Sequence, residues 1–132
     1  MTPASPPLHI FVVENHEDTL KYLRMYLETL GHTVASATSM ADALQKIPGQ
    51  KVDLLLSDIG LPDGSGWELL EQLPSASGLF AVAMSGFGMN ADRARSRAAG
   101  YRHHLIKPFM PDELDSILAE ASALRPSATN QI

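Results

Sequence analysis

The chain has 132 residues, 45% of them apolar and 19% charged, with fifteen acidic against ten basic side chains for a formal charge of −5. That length suits one globular domain and excludes a multidomain enzyme, and the acidic balance excludes a nucleic-acid binder working by bulk electrostatics. There is no cysteine, so disulfide scaffolds and thiolate metal sites are excluded as well. No apolar run approaches the roughly 18 residues of a membrane span, and the opening MTPASPPL lacks the basic start and apolar stretch of a signal peptide, so a soluble cytoplasmic protein is expected.

Five short segments rich in apolar and β-branched residues recur along the chain: Leu8–Val13, Thr33–Ala37, Val52–Leu56, Leu79–Met84 and His103–Ile106. Helical patterns fill the intervals, as strand-plus-helix units require. In the first interval Leu20, Leu23, Leu27 and Leu30 fall on one face, and Gly31 supplies a stop. The second helix opens at Thr38-Ser39, where Ser39 and Asp42 resemble a capping box, and ends by Pro48-Gly49. A third begins near Trp67, a fourth spans Met89 to Ala99 before Gly100, and a fifth starts at Pro111 with Asp112 and Glu113 in its first turn. The near-continuous apolar runs Val52–Leu56 and Leu79–Met84 read as strands covered on both faces. Together these predict a doubly wound α/β sheet over 8–124, flanked by disordered segments at 1–7 and 125–132.

In such a sheet ligands bind beyond the carboxyl ends of the strands. The first strand delivers Glu14 and Asn15 there, the third Asp58, the fourth Ser85-Gly86 and the fifth Lys107-Pro108. Oxygen donors at the first and third strand ends suit a hard divalent cation such as Mg²⁺, and a hydroxyl and an ammonium complete an anion-binding rim. Carboxylate, cation, hydroxyl and lysine together are the parts that phosphoryl transfer needs, with the carboxylate as candidate nucleophile.

The stretches FVVENHED, LLLSDIGLPDGSG, VAMSG and HLIKPF, in this order and spacing, resemble receiver domains of two-component response regulators of the chemotaxis-regulator type, from about Leu8 to Leu124. The resemblance implies a flavodoxin-like (βα)5 fold, a doubly wound five-stranded parallel sheet in the order 2-1-3-4-5, the arrangement that general fold rules already give for this class. It implies that Asp58 is the phosphoacceptor for a histidine kinase or histidine phosphotransfer protein. Ser85 would then bond a phosphoryl oxygen, and Lys107 would offset its charge. Glu14, Asn15, Asp58 and the Gly60 carbonyl would hold Mg²⁺. Ser85 and His104 would act as the switch toward an output protein bound by the fourth helix, fifth strand and fifth helix. A cis bond before Pro108 and tight turning at Gly64 and Gly66 belong to the same expectation, and Gly60 and Phe87 stand where the family tunes acyl-phosphate lifetime. The module would signal rather than turn over a substrate, beyond its own phosphorylation and dephosphorylation, and would contact neither nucleic acid nor membrane directly.

Two positions depart from the family pattern. Asn15 stands where a second acid is usual, which removes one formal charge and predicts weaker Mg²⁺ binding, by roughly tenfold. That loss motivates the alternative of a phosphorylation-independent binding module on the same fold. His104 stands where a Tyr or Phe is common, and an imidazole there would make the output face sensitive to pH near neutrality. Blander readings coexist. Asp58 could be a turn acid, Glu14-Asn15 loop residues, and Ser85-Gly86 an ordinary turn. The adjacent His103 and His104 should point to opposite faces, which argues against a shared metal. Arg93, Arg95, Arg97 and Arg102 read as a solvated face or a partner surface, with Arg93 and Arg97 together, and Tyr22 and Tyr26 as packing or donor docking. A phosphatase would want an acid where Gly60 stands, and a flavin carrier a glycine-rich cradle where the chain has ENHEDT.

Overall fold

The computed structural model describes residues 7–73, 79–86 and 90–124. The expected terminal segments 1–7 and 125–132, apart from Pro7, and the positions Phe87 and Met89 lie outside the described residues. In chain order the elements are β1 (His9–Val13), α1 (Glu17–Thr29), β2 (Thr33–Ala37), α2 (Met40–Lys46) running into a 3-10 turn (Ile47–Gly49), β3 (Leu54–Asp58), β4 (Gly60–Leu61), β5 (Gly64–Ser65), α3 (Gly66–Gln72), β6 (Phe80–Ser85), α4 (Asn90–Ala99), β7 (His103–Ile106) and α5 (Pro111–Leu124). Five strands form a parallel sheet in the order β2-β1-β3-β6-β7, which is the expected 2-1-3-4-5 arrangement. The antiparallel β4-β5 hairpin was not foreshadowed, because two-residue strands carry no periodicity.

Strand alternation divides the core into two layers. Ile10, Val12, Leu54, Leu56, Val82 and Met84 face Leu23 and Leu27 of α1 and Leu114, Ile117 and Leu118 of α5. Phe11, Val13, Leu55, Ala81 and Ala83 face the other way, toward Ala43 of α2 and Leu69 and Leu70 of α3. Both layers are closed to solvent, which is why β3 and β6 read as unbroken apolar runs.

Several expected boundaries shift. β3 begins at Leu54 rather than Val52, since Asp53 turns its side chain back to accept the His9 N–H at 2.8 Å. β3 and β6 each run one or two residues further, so Asp58 and Ser85 are the last strand residues themselves. The α1 stripe is also shorter than its spacing suggests. Leu23 and Leu27 are buried, but Leu30 is the C-cap and is exposed. Gly31, at φ +99°, ends that helix in a Schellman motif: its N–H reaches the Glu28 carbonyl at 3.0 Å and the His32 N–H reaches that of Leu27 at 3.2 Å. Gly100, at φ +115°, closes α4 in the same way on the carbonyls of Arg97 and Ser96.

Gly64 and Gly66 fill a different role from the one expected of them. Neither lies at positive φ. A Cβ on Gly66 would strike the carbonyl oxygen of Asp58, and one on Gly64 would meet the flexible ends of Met40, at 2.7 Å, and Glu68, at 3.2 Å. Close approach, not conformational freedom, therefore selects glycine at 66. The N-caps of α2 and α3 are side-chain oxygens. Ser39 accepts from Asp42 N–H and Ser65 from Glu68 N–H, each at 3.1 Å. The Asp42 carboxylate pairs with Lys46 at 3.0 Å, so the Ser39–Asp42 box is half of the expected pair. The β4-β5 loop adds Asp63, whose carboxylate accepts from Met40 N–H at 2.7 Å and Ala41 N–H at 2.9 Å, pinning α2 to the loop that follows Asp58.

Candidate functional site

The carboxyl ends of β1, β3, β6 and β7 converge, and the residues read from the sequence meet there. Glu14 follows β1 directly and is fully buried, and Asp58 ends β3 almost as deeply. Lys107, just past β7, places its ammonium 2.7 Å from Glu14 Oε1 and 2.8 Å from Asp58 Oδ1. Its backbone N–H donates to the Ser85 carbonyl at 2.7 Å, which locks the end of β7 onto the end of β6. The Lys107–Pro108 bond is cis, as expected. Asn15 and Gly60 lie exposed at the rim.

The electrostatics follow from two carboxylates and one ammonium in a desolvated crevice. Burial pushes Asp58 up and the neighbouring Glu14 pushes it further, so that it settles at about 6 although Lys107 pulls the other way. Burial would raise Glu14 too, but hydrogen bonds from Asp58, Lys107 and the His16 N–H outweigh it and hold Glu14 below its ordinary value. Burial alone would lower Lys107, but both carboxylates overcome it and keep the ammonium charged. Of the two carboxylates, Asp58 is the first to take up a proton as the pH falls.

The donor set fits a hard divalent cation. Glu14, His16 and Asp58 can each present one ligand atom within 4.8 Å of the others, and two of the three are carboxylate oxygens. His16 was missed from the sequence, where it reads as one more loop residue in ENHED. Its N–H and its ring Nδ1 both approach Glu14 Oε2, at 3.0 and 3.1 Å, so it orients the buried carboxylate from the solvent side.

The two adjacent histidines diverge as predicted. His103 Nε2 pairs with Glu120 of α5 at 2.8 Å, whereas His104 lies on the opposite face between two hydroxyls, with Nε2 2.8 Å from Ser85 Oγ and Nδ1 2.8 Å from Ser96 Oγ. Ser96 is buried, and the Trp67 indole N–H donates to it at 2.9 Å. Neither Ser96 nor Trp67 was singled out, because a lone serine in an arginine-rich helix carries no pattern. Arg93 and Arg97 share a face as expected and, with Arg102 and the two histidines, line a cavity of about 200 Å³, while Arg95 turns away to stack on Trp67 at 4.5 Å. Tyr22 is exposed and stacked on Tyr26, whose hydroxyl bonds Asp115 of α5. Next to the crevice, Asp18, Tyr22, Lys107 and Phe109 line a mainly apolar cavity of about 500 Å³.

Residues 10–119 match the family model described as the response regulator receiver domain. The chain belongs to that family. This receiver domain is 33% identical over 110 residues to an uncharacterised 14.6 kDa protein of Leptolyngbya boryana, covering 81% of this chain and 84% of that one. It is 32% identical to the KDP operon transcriptional regulatory protein KdpE of Escherichia coli over 86% of its own length, but spans only 50% of that regulator. Among solved structures, a CheY-like receiver domain protein from Methanospirillum hungatei superposes with a TM-score of 0.82 at 28% identity, covering 90% of this chain and 97% of that one. The receiver domain of sensor histidine kinase PA1611 from Pseudomonas aeruginosa, which has a magnesium ion coordinated in its active-site cleft, shares the fold with a TM-score of 0.79 at 23% identity, over 89% of this chain and 99% of that one. The receiver is a module of two-component signalling, and none of its helices among the described residues is long and apolar enough to cross a membrane.

Proposed function

We propose that this receiver is a phosphoacceptor in a two-component phosphorelay, modified on Asp58 with the help of Mg²⁺. The observation that carries the reading is the buried Asp58 carboxylate held 2.8 Å from the Lys107 ammonium, which also pairs with Glu14 at 2.7 Å, at the open end of the sheet. Glu14, Asn15, Asp58 and the Gly60 carbonyl would hold the cation. When bound, it neutralises oxygen charge as the phosphoryl group moves. Asp58 Oδ forms the new bond to phosphorus while the donor's phosphorus–nitrogen bond breaks, and the donor imidazole leaves carrying the electron pair. Lys107 then faces a phosphoryl oxygen in place of bare carboxylate, and the Ser85 hydroxyl donates to another. The partners on this reading are a histidine kinase or histidine phosphotransfer protein as donor, in the cytoplasm, and an output protein meeting α4, β7 and α5. The chain accepts a group and passes on a conformational signal rather than turning over a substrate.

The test is intact-mass spectrometry after incubation with a small-molecule phosphoramidate, with and without Mg²⁺, beside an Asp58→Asn control. Gain of one phosphoryl group that needs Mg²⁺ and vanishes in the control is the expected result. Failure to gain it at saturating Mg²⁺ and from a histidine phosphotransfer protein would move the assignment to a phosphorylation-independent binding module, the reading that Asn15 favours. Asn15→Asp restores a charged oxygen donor and should tighten Mg²⁺ binding by roughly tenfold in a titration. Because a proton on Asp58 competes with the cation, Mg²⁺ affinity should fall as the pH drops through about 6.

A further inference from the structure

The Ser85–His104 pair does not end at His104. Three hydrogen bonds link the strand-end serine to the protein's single tryptophan: Ser85 Oγ to His104 Nε2 at 2.8 Å, His104 Nδ1 to Ser96 Oγ at 2.8 Å, and Trp67 Nε1–H to Ser96 Oγ at 2.9 Å. The direction of each follows from counting protons. An indole N–H can only donate, so Ser96 accepts from Trp67. Ser96 is 1% exposed, and among the described residues its side chain has these two partners, so its own proton has one acceptor there, Nδ1 of His104. Sending that proton elsewhere would leave a buried donor unsatisfied. A neutral imidazole with Nδ1 as acceptor carries its proton on Nε2, and that proton points at Ser85 Oγ. Ser85 therefore accepts from His104, and its hydroxyl proton is released to another acceptor.

We propose that Ser96 is a positioning residue for the phosphoacceptor site: by donating to Nδ1 it fixes His104 in the Nε2–H tautomer and so keeps the Ser85 hydroxyl as a donor toward a phosphoryl group on Asp58. This rests on the reading of Asp58 as phosphoacceptor. A phosphoryl group presents only acceptor oxygens, so a Ser85 whose proton was spent on Nε2 would face it with lone pairs. With the opposite tautomer, binding the phosphoryl group would first require either turning the Ser85 proton away from Nε2, which leaves that nitrogen without a donor, or moving the His104 proton between its nitrogens. Ser96 removes that step before the group arrives. Trp67, at the far end, senses the same hydroxyl and gives the chain an internal reporter.

The experiment is a long-range ¹H–¹⁵N correlation spectrum of ¹⁵N-histidine-labelled protein at pH 8, where a free imidazole is neutral, on wild type, Ser96→Ala and Ser96→Thr, without and with beryllofluoride and Mg²⁺. Wild-type His104 should carry its proton on Nε2 in both states. Ser96→Ala should give a mixture of tautomers and bind the phosphoryl mimic several-fold more weakly, with Mg²⁺ affinity unchanged, and Ser96→Thr, which keeps the hydroxyl, should restore the single tautomer. A wild-type spectrum with the proton on Nδ1 overturns the proposal, whatever the fate of the variants, and so does a Ser96→Ala protein that retains a pure Nε2–H tautomer. The wild-type spectrum without ligand does not involve phosphorylation, so a chain that fails to accept a phosphoryl group would sink the functional reading and leave the tautomer result standing on its own.

Discussion

At the scale of single residues, the buried polar groups carry the sharpest consequences. His32 is 7% exposed, and its Nδ1 accepts the Leu8 N–H at 2.9 Å, tying the start of β1 to the turn after α1. Burial lowers its pKa, and protonation would abolish the acceptor. The unfolded chain takes up a proton on this imidazole near pH 6.5 while the folded chain resists, so the contribution is fully present above that pH and is lost as pH falls below it. Urea unfolding at pH 7.5 and 5.5 should show a larger loss of stability for wild type than for His32→Asn, which keeps an acceptor but does not titrate. The crevice illustrates what single residues disclose in a sequence. Glu14, Asp58, Ser85 and Lys107 were visible because strand ends of a parallel sheet are where chemistry gathers. His16 and Ser96 were not, since what distinguishes them is a partner 2 residues away in one case and a histidine on another element in the other.

At the scale of elements, the loop after Asp58 is fixed more tightly than its glycines and proline suggest. β4 and β5 pair, the Gly66 N–H reaches the Ile59 carbonyl at 2.8 Å, the Tyr101 hydroxyl donates to the Gly66 carbonyl at 2.6 Å, and Asp63 caps α2. Gly66→Ala would drive a methyl into the Asp58 carbonyl, which is backbone and cannot rotate aside. The expected cost is about 1–3 kcal/mol of stability by denaturant midpoint, with Mg²⁺ binding weakened because the strand end moves. Gly64→Ala, which meets only the ends of two flexible side chains, Met40 and Glu68, should cost far less. The elements themselves were legible: all five main strands and five helices were placed from periodicity and caps. The boundaries moved where a side chain took over a backbone role, as at Asp53, and Leu30 left the buried stripe because the helix stops one residue before it.

At the scale of the whole molecule, the central sheet is shared by two cores, and β1, β3 and β6 each feed both. Leu55 enters one layer and Leu56 the other from adjacent positions on β3. Leu55→Ala and Leu56→Ala should each lower stability by about 2–5 kcal/mol. Circular dichroism and Trp67 fluorescence should still report one coincident transition, since losing either layer exposes the same strand. The fold was readable for the same reason: runs apolar on both faces occur where a strand is sandwiched.

The ion pair between Lys107 and Glu14 joins residues 93 positions apart. Closing so long a loop is entropically expensive until the intervening strands have aligned, so this contact belongs to the last stage of assembly. Weakening it would speed unfolding and leave the folding rate nearly untouched. A nascent chain therefore possesses no crevice until its final strand has docked: the site and the finished fold arrive in the same event, and no half-built intermediate can present Glu14, Asp58 and Lys107 together.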